Sequence, residues 1–242
     1  MQKSKSQTHV GNRLLFALEG KEIELFRDKL EPVELVYRDV LVEDEAPLDY
    51  VYFPNSGVVS VIAVYSNGGT AELATIGREG TTGFQDMLGA SVSDVRLLVQ
   101  IAGSAFRMRR AEFQQAVRTL SGFRELMDLN LRVFLHQVMI SGACNATHQV
   151  KERLARWLLM MGDRTDGDVL PITQDLIAEM LGVYRPTASK ALGSLQYDGV
   201  INVNRGRIEI VDRAGLTRCA CECYPLVRAR TARLLPKTYN VI

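Results

Sequence analysis

The chain has 242 residues, 47% hydrophobic and 24% charged, with a formal net charge of +1. That is globular composition for one large or two modest domains. Its apolar runs stop well short of the roughly 18 residues that span a membrane, and four cysteines without a leader pattern argue against a secreted disulfide scaffold, so the cytoplasm is the expected compartment.

The charge is unevenly placed. Residues 1–148 hold 15 basic and 18 acidic residues, residues 149–213 hold nine of each, and residues 214–242 hold five and one. The positive end is the C-terminal one, which permits a polyanionic partner there. The first residues, rich in Lys, Ser and Gln, read as a loose tail.

Residues 20–115 read as short strands. Val59–Tyr65 is β-branched and aromatic, Asn67-Gly68-Gly69 is a turn signal, and Thr70–Thr75 is the return strand. Val95–Ile101 and Ala105–Met108 are further strands, and glycines at 77, 80, 83 and 89 mark corners. Many short strands with regular turns predict a small barrel or roll. Gly77-Arg78-Glu79-Gly80 is a turn, without the Lys-Ser/Thr that a phosphate loop needs.

The period turns helical near Arg110. A long helix is expected over about 110–142, with Leu126, Leu129, Val133, His136, Ile140 and Ala143 as a packing seam and Gly142 as its break. The seam leaves two readings open: the helix covers its own roll, or it pairs with its copy. A second helix follows through Val150–Leu159, then a polar loop over Asp163–Asp168.

Thr173 caps the next helix, whose core stripe is Leu176, Ile177, Met180 and Leu181; Gly182 ends it. Pro186 follows after three intervening residues, and a proline in the first turn of a new helix costs little. The new helix runs from about Pro186 to Gln196. Ala188, Ala191, Leu192 and Leu195 form its buried face, and Arg185, Thr187, Ser189, Lys190 and Ser194 stay outside. Gly199–Val211 reads as a hairpin with a basic tip, Asn204-Arg205-Gly206-Arg207. This is a winged helix–turn–helix, whose second helix enters a DNA major groove. Arginine pairs bidentately with guanine, lysine reaches phosphate or guanine, and Thr and Ser are short enough to bond phosphate. A basic wing reaches phosphates.

The order of strand-rich roll, long helix and winged helix–turn–helix resembles the CRP/FNR family of bacterial transcription regulators. The resemblance covers roughly residues 15–225 and is most specific over Glu152–Leu159 and Leu170–Gln174 through Gly206-Arg207-Ile208. It implies an α+β fold: an N-terminal double-stranded β-helix or jelly-roll domain of the cyclic-nucleotide-binding type over residues 1–147, including the dimerisation helix, and a winged helix–turn–helix domain with a C-terminal extension over 148–242. It implies a homodimer on a palindromic promoter or operator site, with RNA polymerase as a further partner. Arg185 and Lys190 stand at base-reading positions, Thr173 and Thr187 near phosphates, and Gln174, Ser189, Arg205 and Arg207 complete the DNA-contacting set.

Two departures are visible. Phe84 stands where cyclic-AMP-binding members have Glu, and Asp94 where they have the Arg that grips the cyclic phosphate; Arg96 lies two residues on. A carboxylate at the arginine's place repels a phosphodiester. Pro186 takes the place of an acidic base-reader. The effector is therefore unknown or absent. The competing reading is an effector-binding or protein-interaction module with a vestigial DNA-binding domain.

No nucleophile–base order, paired-carboxylate motif or phosphate loop supports an enzyme, and no cofactor is expected. Cys219, Cys221 and Cys223 lie too close together for the usual structural zinc spacing and read as small buried residues of a terminal helix, so no metal is expected. His9, His136 and His148 are scattered; His136 reads as a seam residue.

Overall fold

The structure, a computed structural model, describes residues 11–18 and 21–235; the loose tail expected at the N-terminus, with His9, lies outside them. Two short helices, α1 (Arg13–Phe16) and α2 (Lys21–Glu24), enter the roll. Asn12 caps α1 by accepting from the Leu15 N–H (2.9 Å), and its amide donates to the carbonyls of Pro54 (2.8 Å) and Gly80 (3.0 Å).

Seven strands form the roll: β1 (Glu31–Leu35), β2 (Val40–Val42), β3 (Tyr50–Pro54), β4 (Val58–Val64), β5 (Thr70–Ile76), β6 (Arg96–Ile101) and β7 (Gly103–Arg109), with α3 (Phe84–Met87) before β6. They make two antiparallel sheets, ordered β1-β7-β3 and β2-β6-β4-β5. The β4–β5 hairpin turns at Gly68, whose positive φ of 81° suits a residue without a Cβ. Strand β4 is apolar almost throughout because both its faces are covered. Val59 and Val61 point into the roll with Leu97, Val99, Ala74 and Ile76, while Val58 and Ile62 join the C-terminal core around Trp157 and Leu158. Each such aliphatic side chain contributes about 1.5–3 kcal/mol on burial.

After β7 come α4 (Arg110–Thr119) and α5 (Ser121–Thr147). The helix expected over 110–142 is thus two helices, because Leu120 takes an extended conformation (ψ 106°) and resets the direction. Gly142 does not break α5, which runs on to Thr147; its cost of up to about 1 kcal/mol is absorbed inside a 27-residue helix.

The C-terminal part has α6 (Val150–Gly162), β8 (Val169–Leu170), α7 (Gln174–Leu181), α8 (Arg185–Tyr197), β9 (Ile201–Asn204), β10 (Arg207–Ile210), α9 (Arg213–Cys219) and α10 (Cys223–Leu234). Strands β8, β10 and β9 form a small antiparallel sheet in that order.

Helix α10 lies along α5. Leu126 and Leu129 pack into one apolar cluster with Leu234 and Leu235, Ile140 packs against Cys221 and Cys223, and His136 feels Arg230 and Arg233. Part of the seam, Leu126, Leu129, His136 and Ile140, thus meets residues of the chain's own C-terminal extension, while Val133 lies beside Thr75 and Ile76 of the roll and Ala143 is exposed. A different row of α5 meets the roll domain: Phe134 stacks on Phe84, and Gln137 Nε2 donates to the Thr75 carbonyl at 2.9 Å.

Two buried polar clusters dock the C-terminal part onto the roll. The Glu72 carboxylate accepts from Ser60 Oγ (2.7 Å), Gln100 Nε2 (2.8 Å) and Trp157 Nε1 (2.9 Å). Burial pushes its pKa up, and the three donors pull it back. Arg164, 2% exposed, pairs with Glu79 (2.6 Å) and donates to Gln137 Oε1 (3.1 Å) and the Met160 carbonyl (3.0 Å). A Cβ on Gly77 would stand 2.4 Å from the Arg164 side chain, so only glycine lets it pass. The segment expected as a plain polar loop, Asp163–Asp168, therefore supplies anchors: Asp163 also accepts from Arg213 and from the Tyr224 hydroxyl.

Candidate nucleic-acid interface

The helix–turn–helix is built as its sequence dictates. The Thr173 hydroxyl accepts from the Leu176 N–H at 3.2 Å, and α7 buries Leu176, Ile177, Met180 and Leu181. Gly182 follows at φ 63°, ψ 41°, and the Val183 N–H donates to the Ala178 carbonyl at 3.0 Å, satisfying orphan acceptors at the helix end. Tyr184 is the N-cap of α8, Arg185 its first residue and Pro186 its second, a position where a missing N–H leaves no bond unmade. Ala188, Ala191, Leu192 and Leu195 are its buried residues. Small alanines let α8 sit close to α6 and α7.

Arg185, Thr187 and Lys190 are exposed on the opposite face, and so are Arg205 and Arg207 at the hairpin tip. The tip is a two-residue turn, Arg205-Gly206, with Asn204 paired to Arg207 and Gly206 at φ 75°. Thr173, Gln174, Arg185 and Arg205 line one cleft of about 540 Å³ between the start of α7, the start of α8 and the wing. Of the eight expected positions, Gln174 and Ser189 are half-buried and the rest are exposed.

Two pairings were not legible in the sequence. Arg185 Nε pairs with Asp175 Oδ1 at 3.0 Å, both side chains well exposed. Asp175 lies on α7, ten residues earlier, and only the crossing of the helices brings it near. Ser189 Oγ donates to Gln174 Oε1 at 2.8 Å. Through this bond Ser189, one of the expected DNA-contacting positions, orients the Gln174 side chain and leaves its amide N–H groups pointing away from the bond. Sequence reading also passed over Tyr184, which is 86% exposed at the N-cap of α8. An aromatic just before the proline that starts the second helix was the available signal. The scaffold is held by Lys151, whose ammonium pairs with Asp198 (2.6 Å) at the far end of α8.

In the roll, the stretch that departs from cyclic-nucleotide binders is internally closed. Phe84 stacks on Phe134 of α5 with centroids 4.1 Å apart. Gln85 Oε1 accepts from the Asp94 N–H (2.9 Å), and Asp86 pairs with Arg110 (2.6 Å). Arg96 is bound to Glu43 at 2.7 Å.

Comparison with known proteins matches residues 152–219 to the Crp-like helix-turn-helix domain. No curated protein sequence matches the chain. Among solved structures, FixK2 from Bradyrhizobium japonicum is similar, at 17% identity over 79% of this chain and 98% of its own, with a TM-score of 0.68. A CRP-family transcriptional regulator from Thermus thermophilus, TTHB099, is 20% identical over 78% of this chain and 96% of its own, with a TM-score of 0.63. CLP of Xanthomonas campestris, described as a c-di-GMP-responsive global regulator, is 20% identical over 78% and 97%, with a TM-score of 0.62.

Proposed function

From a chain that carries a Crp-like helix-turn-helix domain on the fold of the CRP/FNR transcription regulators, we propose a sequence-specific DNA-binding regulator acting as a homodimer on a palindromic site. The observation that carries it is the exposed polar face of α8, with Arg185, Thr187 and Lys190, flanked by Gln174 and the basic hairpin tip around one cleft. In this reading α8 enters the major groove. Arg185 leaves Asp175 to fork onto a guanine, Lys190 reads or binds beside it, and Arg205 and Arg207 hold the adjacent backbone. Thr173 and the Gln174 amide bind phosphate at the start of α7, where the helix dipole favours an anion.

The dimer is supported by a row of α5 that neither the roll nor α10 occupies. Leu135, Met139, Gly142 and Ala146 recur at spacings of four, three and four; Met139 is 67% exposed and a Cβ on Gly142 would meet nothing. A glycine and an alanine in such a row allow close approach of a second helix. In the roll, cyclic-AMP recognition of the usual kind is disfavoured: Phe84 is committed to Phe134, Asp94 repels phosphate, and Arg96 is committed to Glu43.

Selection from random duplex DNA tests this, and enriched sites should carry two inverted half-sites about one helical turn apart. On the enriched site Arg185→Ala should weaken binding by about 1–3 kcal/mol, roughly fivefold to 150-fold, and hardly affect scrambled DNA. Equal loss on both overturns base reading by Arg185. No enriched sequence would favour the protein-interaction module.

A further inference from the structure

The four residues Cys144, His148, Cys221 and Cys223 come together from two distant parts of the chain. Cys144 lies in the last turn of α5 and His148 is its C-cap; Cys221 lies in the link between α9 and α10, and Cys223 is the first residue of α10. One ligand atom of each lies within 4.8 Å of all the others. Cys144 Sγ and Cys221 Sγ are 3.5 Å apart, and Cys223 Sγ and His148 Nδ1 are 3.7 Å apart. A zinc–sulfur bond of about 2.3 Å and a zinc–nitrogen bond of about 2.0–2.1 Å give tetrahedral edges of roughly 3.5–3.8 Å. The Cys144–Cys221 and Cys223–His148 separations fall in that range, and the remaining ones lie within 4.8 Å, so a small inward shift of the side chains completes the tetrahedron. A disulfide would instead bring two sulfurs to about 2.05 Å.

A second observation is electrostatic. Arg153 and Arg156 of α6 are only 8% and 5% exposed, and among the described residues neither pairs with a carboxylate. Arg153 Nη2 donates to the Leu181 carbonyl (2.5 Å) and Arg156 Nη1 contacts Met160 Sδ (3.5 Å), while both Nε groups have no acceptor. Both guanidiniums act electrostatically on the thiols of the cluster. Arg156 is compensated in part by the Glu72 carboxylate, on which it acts electrostatically, whereas Arg153, beside neutral thiols, is poorly compensated. Three thiolates and an imidazole around Zn²⁺ carry one net negative charge at that place.

We propose that Cys144, His148, Cys221 and Cys223 form a tetrahedral Zn²⁺ site that staples the C-terminal helix α10 to the end of α5. Loading releases three protons: the three thiols ionise and bind Zn²⁺ as thiolates, and the imidazole binds in its neutral form. Four protein ligands close the coordination sphere, so the site is structural. The soft sulfur donors select zinc over magnesium or calcium. Cys219 stands apart, its Sγ 3.8 Å from Asp198 Oδ2, and takes no part.

The test uses the full chain, purified without a histidine tag and reconstituted with zinc chloride under reducing conditions, with metal counted by plasma mass spectrometry. About one zinc per chain is expected in the wild type and in Cys219→Ser, and almost none in Cys144→Ser or Cys223→Ser. Cobalt chloride should give a thiolate-to-cobalt absorption band that His148→Ala shifts, a readout that does not depend on the cysteine variants folding. Chelation should lower the melting temperature of the wild type and of Cys219→Ser. The proposal is overturned by less than about a tenth of a zinc per chain with no cobalt band. It is equally overturned by equal zinc in Cys144→Ser and wild type, or by a Cys144–Cys221 disulfide in a chain that takes up no metal once reduced.

Discussion

At the residue scale, the interface separates groups already occupied from groups left free. Arg185 is held by Asp175 and Gln174 by Ser189, so both are oriented before any partner arrives. An exposed ion pair of this kind is worth only about 0–1 kcal/mol, so giving it up to reach a guanine costs little. Lys190, Arg205 and Arg207 carry no ion pair among the described residues. Arg207 should act as a point charge on the backbone. Arg207→Ala is expected to weaken selected and scrambled DNA alike and to reduce the salt slope of binding by about 1 per chain. Binding measured across a salt series checks this, and an unchanged slope removes the wing from the phosphate contacts. The exposure of six of the eight expected positions was legible because residue type and helical phase are local properties. Their pairings were not, because Asp175 meets Arg185 only once two helices cross.

At the element scale, the turn between α7 and α8 rests on one backbone conformation. Gly182 sits in the left-handed region, and a Cβ there would meet no atom within 4 Å. The penalty for a side chain is therefore conformational and not steric. Gly182→Ala should lower stability by about 1 kcal/mol, and Gly182→Asn by less, since asparagine tolerates this region better. Denaturant melts of the two variants check the order; equal loss would mean a steric cause. Cap, glycine stop and proline start all act within a few residues, which is why this motif could be read from sequence. The long helix was harder. Its period is local, but its two competing covers, roll and α10, come from opposite ends of the chain.

At the scale of the whole molecule, α10 makes the C-terminal extension part of the central helix packing. His136 lies under it with its Nδ1 buried and unpartnered. Burial, then Arg230 and Arg233, holds its pKa below the ordinary range. The folded state therefore binds the proton more weakly than the unfolded chain. The resulting stability is full above the unfolded value of about 6.5 and is lost as pH falls below it. Thermal melts at about pH 7.5 and about pH 5.5 should show a larger drop in wild type than in His136→Gln. Equal drops would place the acid sensitivity elsewhere.

What the sequence determined by itself is everything carried by short-range periodicity and capping: a strand-rich N-terminal half, the helical change near Arg110, both helices of the helix–turn–helix with their buried faces, and the basic hairpin. Tertiary structure decided what depends on contacts across large separations. It brought the C-terminal extension against Leu126, Leu129 and Ile140 of α5 and buried Arg164 against Glu79. It also joined Cys144 and His148 to Cys221 and Cys223 while leaving Cys219 outside. In sequence the three C-terminal cysteines look like one group; in space the group is two of them and a helix end more than seventy residues earlier. Spacing along a chain constrains ligands on one element, but a site shared by two elements is fixed only by how they pack.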